Sequence, residues 1–197
     1  MFIGHFAAGL GLKRVAPEVS LGTLFFGAQF LDLLWPTLLL TGTEMVELAP
    51  DAKGPPLNFT HYPFSHSLLM VMVWAVLLGG AYYGLRRKVR GALVCAAAVL
   101  SHWLLDLIVH HPDLPLAPGT DHRVGFGLWE SLPISLSIEL GLFAVGCWQY
   151  CRATVATDRV GSIGFWSLMV FLVLVQLGNA FGDPPPSVAA VAWVGQA

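Results

Sequence analysis

One stretch of the sequence, residues 91–111 (GALVCAAAVLSHWLLDLIVHH), is apolar enough to cross a membrane and yet carries side chains that bind metal ions in proteins. His102, Asp106 and His110 recur every four residues, a spacing that places them on one face of a helix. A carboxylate inside a membrane span costs about 2.5–3.5 kcal/mol on insertion scales, so its presence there indicates a functional site. The imidazoles beside Asp106 favour a bound divalent ion as the group that offsets this cost.

Further ionisable side chains in apolar segments extend this candidate site. Asp32 and Glu139 are the other acids inside predicted spans, and no lysine or arginine lies within a span to balance them. Carboxylates that converge in a low-dielectric environment repel one another unless protons or metal ions are present. Histidine beside carboxylate favours Zn²⁺, with Mn²⁺ or Fe²⁺ as alternatives and two ions as one arrangement. The predicted metal ligands are His5, Asp32, His66, His102, Asp106, His110 and Glu139.

The composition predicts that these residues lie in an all-α, polytopic membrane helical bundle. Of the 197 residues, 56% are hydrophobic and 11% are charged, against about 25% charged in a soluble domain, and the mean hydropathy is +0.70. The length suits a single integral membrane domain covering residues 1–197. The predicted spans are residues 21–40, 64–84, 91–111, 134–151 and 162–181, and the predicted outer loops are 41–62 and 112–133.

Three details of this bundle follow from local sequence. Met1–Leu12 is apolar but too short to cross a bilayer, so we predict an N-terminal half-helix that contains His5. Pro36 predicts a kink in the first span, because proline removes a backbone hydrogen bond inside a helix. Residues 187–197 form an apolar tail that is also too short to cross.

The lysines and arginines predict the orientation of the bundle. One side of the alternating spans carries eight basic residues and the other side carries only Lys53 and Arg123. The positive-inside rule therefore places the N-terminus in the cytoplasm and the candidate site between mid-membrane and the outer surface. No nucleic-acid partner is expected, since the basic residues lie along the cytoplasmic membrane face. The eight residues are Lys13, Arg14, Arg86, Arg87, Lys88, Arg90, Arg152 and Arg159.

Several short motifs along residues 1–120 together resemble the LexA-regulated, membrane-bound, predicted metal-dependent hydrolases of bacterial inner membranes. The motifs are Gly4-His5, Asp32, His61, Ser65-His66-Ser67-Leu68-Leu69, His102-x2-Leu105-Asp106 and Leu116-Ala117-Pro118. The chain departs from that pattern at Tyr62, where the family usually has arginine, and at Leu33, where it often has a second acid. The resemblance implies a multi-pass inner-membrane protein with a metal-dependent hydrolytic site.

A more distant likeness concerns the order of the candidate ligands. The series His5, Asp32, His66, His102-x3-Asp106 and Glu139 is similar to the ligand order of all-helical zinc phospholipase C and single-strand nucleases. Those enzymes cleave phosphoesters with three zinc ions, and Ser135 stands where they have a further histidine. The likeness therefore implies a two-metal site in which Asp32 bridges the ions and orients the attacking water. Asp32 and Glu139 are the predicted catalytic residues.

Three functions are compatible with this reading of the sequence. The first is a metal-dependent hydrolase that opens outward and acts on a phosphoester or a related ester, with an amphiphilic substrate drawn from the lipid bilayer. The second is a transporter of metal ions or protons that uses the same side chains, although no internal repeat supports it. The third is a non-catalytic membrane scaffold, which would leave three buried acids uncompensated.

Overall fold

The computed structural model describes residues 1–196, and these residues form α-helices joined by loops and two short hairpins. The hairpins are antiparallel pairs, β1 (Met45–Leu48) with β2 (Leu57–His61) and β3 (Leu114–Pro115) with β4 (Arg123–Val124). In chain order the helices are α1 (Ile3–Val15), α2 (Leu21–Ala28), α3 (Phe30–Leu40), α4 (Pro63–His66), α5 (Leu68–Arg86), α6 (Val89–Val109), α7 (Leu132–Ala153), α8 (Arg159–Phe181) and α9 (Val188–Gln196).

The helices confirm the predicted all-α polytopic membrane bundle. Helices α5, α6, α7 and α8 are each long and apolar enough to cross a membrane, and the bent pair α2–α3 raises the number of candidate spans to five. Helix α1 has 13 residues and is the expected half-helix. In α6, 44% of the apolar stretch is buried, against 17% in α5 and in α8. Helix α6 is therefore the central span, and α5 and α8 present apolar faces to lipid.

The first span bends at Gln29, upstream of the proline at which the sequence predicts a kink. Helix α2 ends at Ala28, Gln29 leaves helical geometry with φ −100° and ψ 3°, and α3 continues at an angle of 51°. Pro36 lies inside α3, which runs unbroken through it. Asp32 lies in the first turn of α3, directly after this bend.

The ends of two other spans also differ from the sequence expectation. The second span begins with the single turn of α4 and breaks at Ser67, whose extended backbone and side-chain bond to the amide of Met70 begin α5. The third span ends at Val109, because His110 has an extended backbone with ψ 146°. The two outer loops are not featureless, since each contains one of the hairpins.

The C-terminal tail forms α9, which packs against α3. Gln196 donates a hydrogen bond from Nε2 to Thr37 Oγ1 over 2.5 Å. A Cβ atom at Gly195 would lie 2.7 Å from the ring of Pro36, so the two helices approach closely there. The tail is thus anchored to the bent first span rather than only resting at the interface.

Helix α1 lies against α7 at a close contact that glycine permits. A Cβ atom at Gly146 of α7 would lie 2.8 Å from the carbonyl oxygen and 2.9 Å from the Cα of Ala7 in α1. Real Cβ atoms do not approach backbone atoms so closely, so the position of α1 depends on the absence of a side chain at Gly146. Because α1 carries His5, this contact also sets one side of the candidate site.

We expect Gly146→Ala to separate α1 from α7 and to destabilise the protein by about 1–3 kcal/mol, the usual effect of overpacking. Gly141→Ala on the same helix is the matched control, because a Cβ atom there meets nothing within 4 Å. Alanine is favoured over glycine in a helix, so the control should match or exceed the wild-type melting temperature. Thermal unfolding in detergent measures both, and equal melting temperatures for the two variants would contradict the packing argument.

Candidate metal centre

Five of the seven predicted ligands meet at one place in the bundle. His5 comes from α1, Asp32 from α3, His66 from α4, and His102 and Asp106 from successive turns of α6. The Nε2 atom of His102 lies 3.1 Å from Asp106 Oδ2 and 3.5 Å from Asp32 Oδ1. The Nε2 atom of His66 lies 3.5 Å from Asp32 Oδ1 and 3.8 Å from Asp106 Oδ2. The bends at Gln29 and Ser67 bring these side chains from separate helices to a common centre.

The imidazole of His5 completes the cluster from the side of α1. Its ring stacks on the ring of His102, with centroids 3.6 Å apart and planes 5° from parallel. Its Nε2 lies 3.1 Å from Asp106 Oδ1, but neither ring nitrogen makes a hydrogen bond of good geometry. A buried imidazole that lacks a hydrogen-bond partner is unfavourable, so His5 has a nitrogen free to bind a ligand.

The tautomer of His102 follows from its neighbour on the bent span. Its Nδ1 lies 2.7 Å from the carbonyl oxygen of Ala28, the last residue of α2, where helix carbonyls lack partners within the helix. A carbonyl only accepts hydrogen bonds, so Nδ1 carries the proton and donates it. In the neutral ring, Nε2 then bears a lone pair that faces the oxygens of Asp32 and Asp106.

The arrangement fits a divalent metal ion. One group of ligand atoms comes from His5, Asp32 and His102, a second comes from His66, His102 and Asp106, and the atoms of each group lie within 4.8 Å of one another. Lone pairs and carboxylate oxygens that face each other at this range repel unless a cation lies among them. Imidazole nitrogen with carboxylate oxygen is a donor set that suits Zn²⁺, Mn²⁺ and Fe²⁺. Because the groups share His102, the geometry could hold one ion or two.

The nitrogen atom of Met1 reaches one edge of the cluster. It is buried and donates a hydrogen bond to Asp106 Oδ1 over 2.7 Å. This contact satisfies one oxygen of Asp106. The remaining groups of the cluster contact no lysine or arginine within residues 1–196. These groups are Asp106 Oδ2, the carboxylate of Asp32 and the Nε2 atoms of His66 and His102.

His110 lies outside both groups of ligand atoms, although the sequence places it with His102 and Asp106. Helix α6 ends one residue earlier, so the helical spacing no longer applies, and His110 Nδ1 pairs with Asp113 Oδ1 at 2.9 Å. The hydroxyl of Tyr62 donates to the same oxygen over 2.9 Å. Burial, and then the charge of Asp113, raise the pKa of Tyr62 above its ordinary value, which keeps this hydroxyl a donor.

Glu139 is also outside the two groups. Its Oε2 accepts hydrogen bonds from the backbone amides of Phe2 at 2.8 Å and Gly4 at 3.4 Å. These amides belong to the start of α1, where the first N–H groups of a helix lack partners within the helix. Glu139 therefore caps α1 from the neighbouring α7 and so holds His5 in place.

The structure adds a buried acid that the sequence argument does not include. Glu44 is 1% exposed and accepts hydrogen bonds from the amides of Phe64 and Ser65 at 2.7 and 2.8 Å and from the Ser65 hydroxyl at 2.6 Å. It lies in the predicted outer loop, in no apolar segment and in no helical spacing. No local signal in the sequence identifies it as part of the site.

The cluster opens into a cavity of about 1090 Å³. Asp32, His66 and Asp106 are among the polar residues that line it, and the side chain of Asp32 is 41% exposed. Most of the remaining wall is apolar. It includes Phe6, Phe25, Phe26, Leu33, Trp35, Phe59, Trp129, Leu132, Leu136, Val191 and Val194.

These features define a polytopic membrane protein with a polar cluster buried among its helices. A family model described as YdjM inner membrane protein matches residues 1–181. The chain belongs to this family of inner membrane proteins. Comparison with curated proteins and with solved structures finds no match. Membership of an inner-membrane family is thereby confirmed, whereas LexA regulation and hydrolysis, which the resemblance also implied, stay predictions.

We expect His102→Ala to abolish stoichiometric metal binding, because His102 belongs to both groups of ligand atoms. His110→Ala, a matched change on a nearby buried histidine, should leave the metal content within error of wild type. Elemental mass spectrometry of the detergent-purified proteins, after zinc loading and buffer exchange, measures both. Loss of metal in the His110 variant would restore that residue to the ligand set.

Proposed function

We propose that the protein is a membrane-embedded, metal-dependent hydrolase that cleaves a phosphoester or a related ester. The observation that carries the proposal is the cluster of Asp32, His66, His102 and Asp106, whose acceptor atoms face one another at 3.1–3.8 Å. Such a set needs positive charge, which protons or a bound metal ion supply, and histidine beside carboxylate favours the metal ion. The family described as YdjM inner membrane protein gives the chain a membrane location, and the proposal adds a chemical reaction to it.

Each residue of the cluster has a distinct part in this proposal. His5, His66, His102 and Asp106 would hold the metal, Zn²⁺ by preference, and such an ion would supply Lewis acidity toward an ester oxygen and a water molecule. Asp32 faces the cavity and is the exposed carboxylate of the cluster. It therefore orients the attacking water and accepts its proton. Glu139 contributes indirectly, through the position of α1.

The cavity favours an amphiphilic substrate. Its wall is mostly apolar and aromatic, and Asp32, His66 and Asp106 of the cluster contribute polar groups to it. A ligand pocket of this kind binds the apolar body of a molecule and orients its polar group. A substrate from the bilayer would place its chain against the aromatic wall and its ester beside Asp32.

The proposed orientation places the cavity at the outer face of the membrane. The cavity is bounded by segments of the two predicted outer loops, Pro50–Leu57 and Trp129, and by Pro184–Pro186 after α8. The basic turns around residues 86–90 and 152–159 join the opposite ends of α5, α6, α7 and α8. The positive-inside rule then assigns those turns and the end of α1 to the cytoplasm.

Cysteine labelling tests this orientation. In a cysteine-free background, Asp121→Cys in the loop between α6 and α7 should react with a membrane-impermeant maleimide in intact spheroplasts. Lys88→Cys in the turn between α5 and α6 should react only after permeabilisation, since both positions are exposed in the fold but lie at opposite ends of the helices. The reverse pattern would place the cavity on the cytoplasmic side.

Transport of a metal ion is the second candidate, and the broken first span favours it. Discontinuous helices that meet at a buried ion site recur in secondary transporters, and α2 and α3 meet at 51° next to Asp32. A hydrolase and a transporter differ in what Asp32 does. In the first it acts on water in the cavity, and in the second it binds the ion in transit.

We expect Asp32→Asn to reduce hydrolysis by about 10²–10⁴-fold, the usual contribution of a general base, while the variant still binds metal through the remaining ligands. Asp183→Asn is the matched control, because Asp183 also lines the cavity but lies outside the cluster. The assay is product release from phosphodiester and carboxylester lipids in mixed micelles with the zinc-loaded protein. If the wild type binds metal, cleaves none of these esters and carries zinc into proteoliposomes in an Asp32-dependent manner, the transporter hypothesis replaces the hydrolase.

A further inference from the structure

Glu44, Ser65 and His66 form a continuous chain of hydrogen bonds that ends at the metal centre. Glu44 Oε2 accepts from the hydroxyl of Ser65 over 2.6 Å, and Ser65 Oγ lies 2.7 Å from His66 Nδ1. All three residues are buried, with Glu44 at 1%, Ser65 at 0% and His66 at 5% exposure. These hydrogen bonds connect the loop after α3 to the imidazole ring of His66, which faces Asp32.

The chemistry of these groups fixes the direction of every bond in the chain. An ionised carboxylate accepts hydrogen bonds and cannot donate, and a serine hydroxyl has one proton to give. The hydroxyl proton of Ser65 therefore points to Glu44, which leaves the oxygen of Ser65 as an acceptor. His66 must then donate from Nδ1, and in the neutral ring its Nε2 bears the lone pair. That nitrogen faces Asp32 Oδ1 at 3.5 Å and Asp106 Oδ2 at 3.8 Å.

We propose that Glu44 is a positioning residue that acts through Ser65 to hold His66 in the tautomer with Nε2 free to bind a metal ion. This inference rests on the proposed metal-dependent function and deepens it. Partners beyond the ligands orient metal-binding histidines by accepting their second N–H. For His102, the carbonyl of Ala28 accepts the Nδ1 proton directly. For His66, the acceptor is the hydroxyl oxygen of Ser65, and Glu44 makes it an acceptor by taking the hydroxyl proton.

A simpler role for Glu44 is to cap α4, since its Oε1 accepts from the amides of Phe64 and Ser65. The substitution Glu44→Gln separates this role from the positioning role. A glutamine oxygen can still accept from both amides, but its NH₂ group would donate to Ser65 Oγ. The hydroxyl of Ser65 would then turn its proton toward His66 Nδ1, and the proton of the ring would move to Nε2. The shape of the cap is kept while the tautomer of His66 is inverted.

The experiment uses the full chain, purified in detergent, with two readouts. Nitrogen-15 NMR of histidine-labelled, metal-free protein reports which ring nitrogen of His66 is protonated, with His66→Gln to assign the signal. Competition with a chromophoric chelator measures zinc affinity. We expect Glu44→Gln to show an Nε2-protonated ring and zinc binding weaker by about 10–100-fold, the range seen when such outer partners are removed. Ser65→Ala, which leaves the ring free to adopt either tautomer, should bind zinc less tightly than wild type but more tightly than Glu44→Gln.

Glu47→Gln is the matched control, because Glu47 lies three residues further on in β1, is exposed, and accepts a hydrogen bond from the exposed side chain of Asn58. It should match wild type in both readouts. An Nδ1-protonated His66 and unchanged affinity in Glu44→Gln would overturn the proposal. If that variant does not fold, Ser65→Ala carries the test, and an unchanged tautomer and affinity there would overturn it equally. Failure of the proposed function is distinguishable, because a wild type that binds no zinc still reports its His66 tautomer.

Discussion

The structure depends on how charge is balanced among the carboxylates and imidazoles at the centre of the bundle. Asp32 and Asp106 direct oxygens at the Nε2 atoms of His66 and His102, and the partners of both histidines keep the protons on the far side of the rings. In an apolar environment, such a set raises the energy of the fold unless positive charge enters it. If the proposed metal ion is bound, it would stabilise the protein, since it would bind the folded chain and not the unfolded one.

The helix breaks are the structural means by which the cluster is assembled. A straight span from residue 21 to residue 40 would use the carbonyl of Ala28 within the helix, whereas the break at Gln29 leaves it for His102. The break at Ser67 separates the short helix α4 from α5. Helix α4 carries Ser65 and His66, and Glu44 caps it by accepting a hydrogen bond from the amide of Phe64. Irregular backbone is tolerated at membrane depth where it is enclosed by protein or borders a polar cavity. Both breaks meet that condition.

The sequence predicts those parts of this arrangement that leave a signal in hydrophobic composition or in the spacing of residues along a helix. Apolar run lengths give the spans, and the spacing of His102 and Asp106 on one helix gives the core of the cluster. The position of Asp32 inside an apolar span adds that residue, and the resemblance to known families supports His5 and His66, so that three further helices contribute. Two residues predicted as ligands lie outside the cluster because of helix ends. Helix α6 stops before His110, and Glu139 binds the start of α1. Pro36 is a strong local signal for a kink, whereas the bend between α2 and α3 lies at Gln29. Glu44 has no local signal at all, because its role arises from a contact between residues 21 positions apart.

The fixed tautomers also bear on the choice between a static metal site and a pathway for protons. A histidine relays protons by accepting on one ring nitrogen and releasing from the other, so both nitrogens must exchange in turn. At His102 the Nδ1 proton is committed to the carbonyl of Ala28, and at His66 it is committed to Ser65. Passage of a proton through either ring would break a buried hydrogen bond at each step, which is unfavourable in a low-dielectric interior. Only the Nε2 side of each ring is open to exchange, and that is the requirement for a metal ligand. The hydrogen bonds that surround the cluster thus favour ion binding over proton conduction.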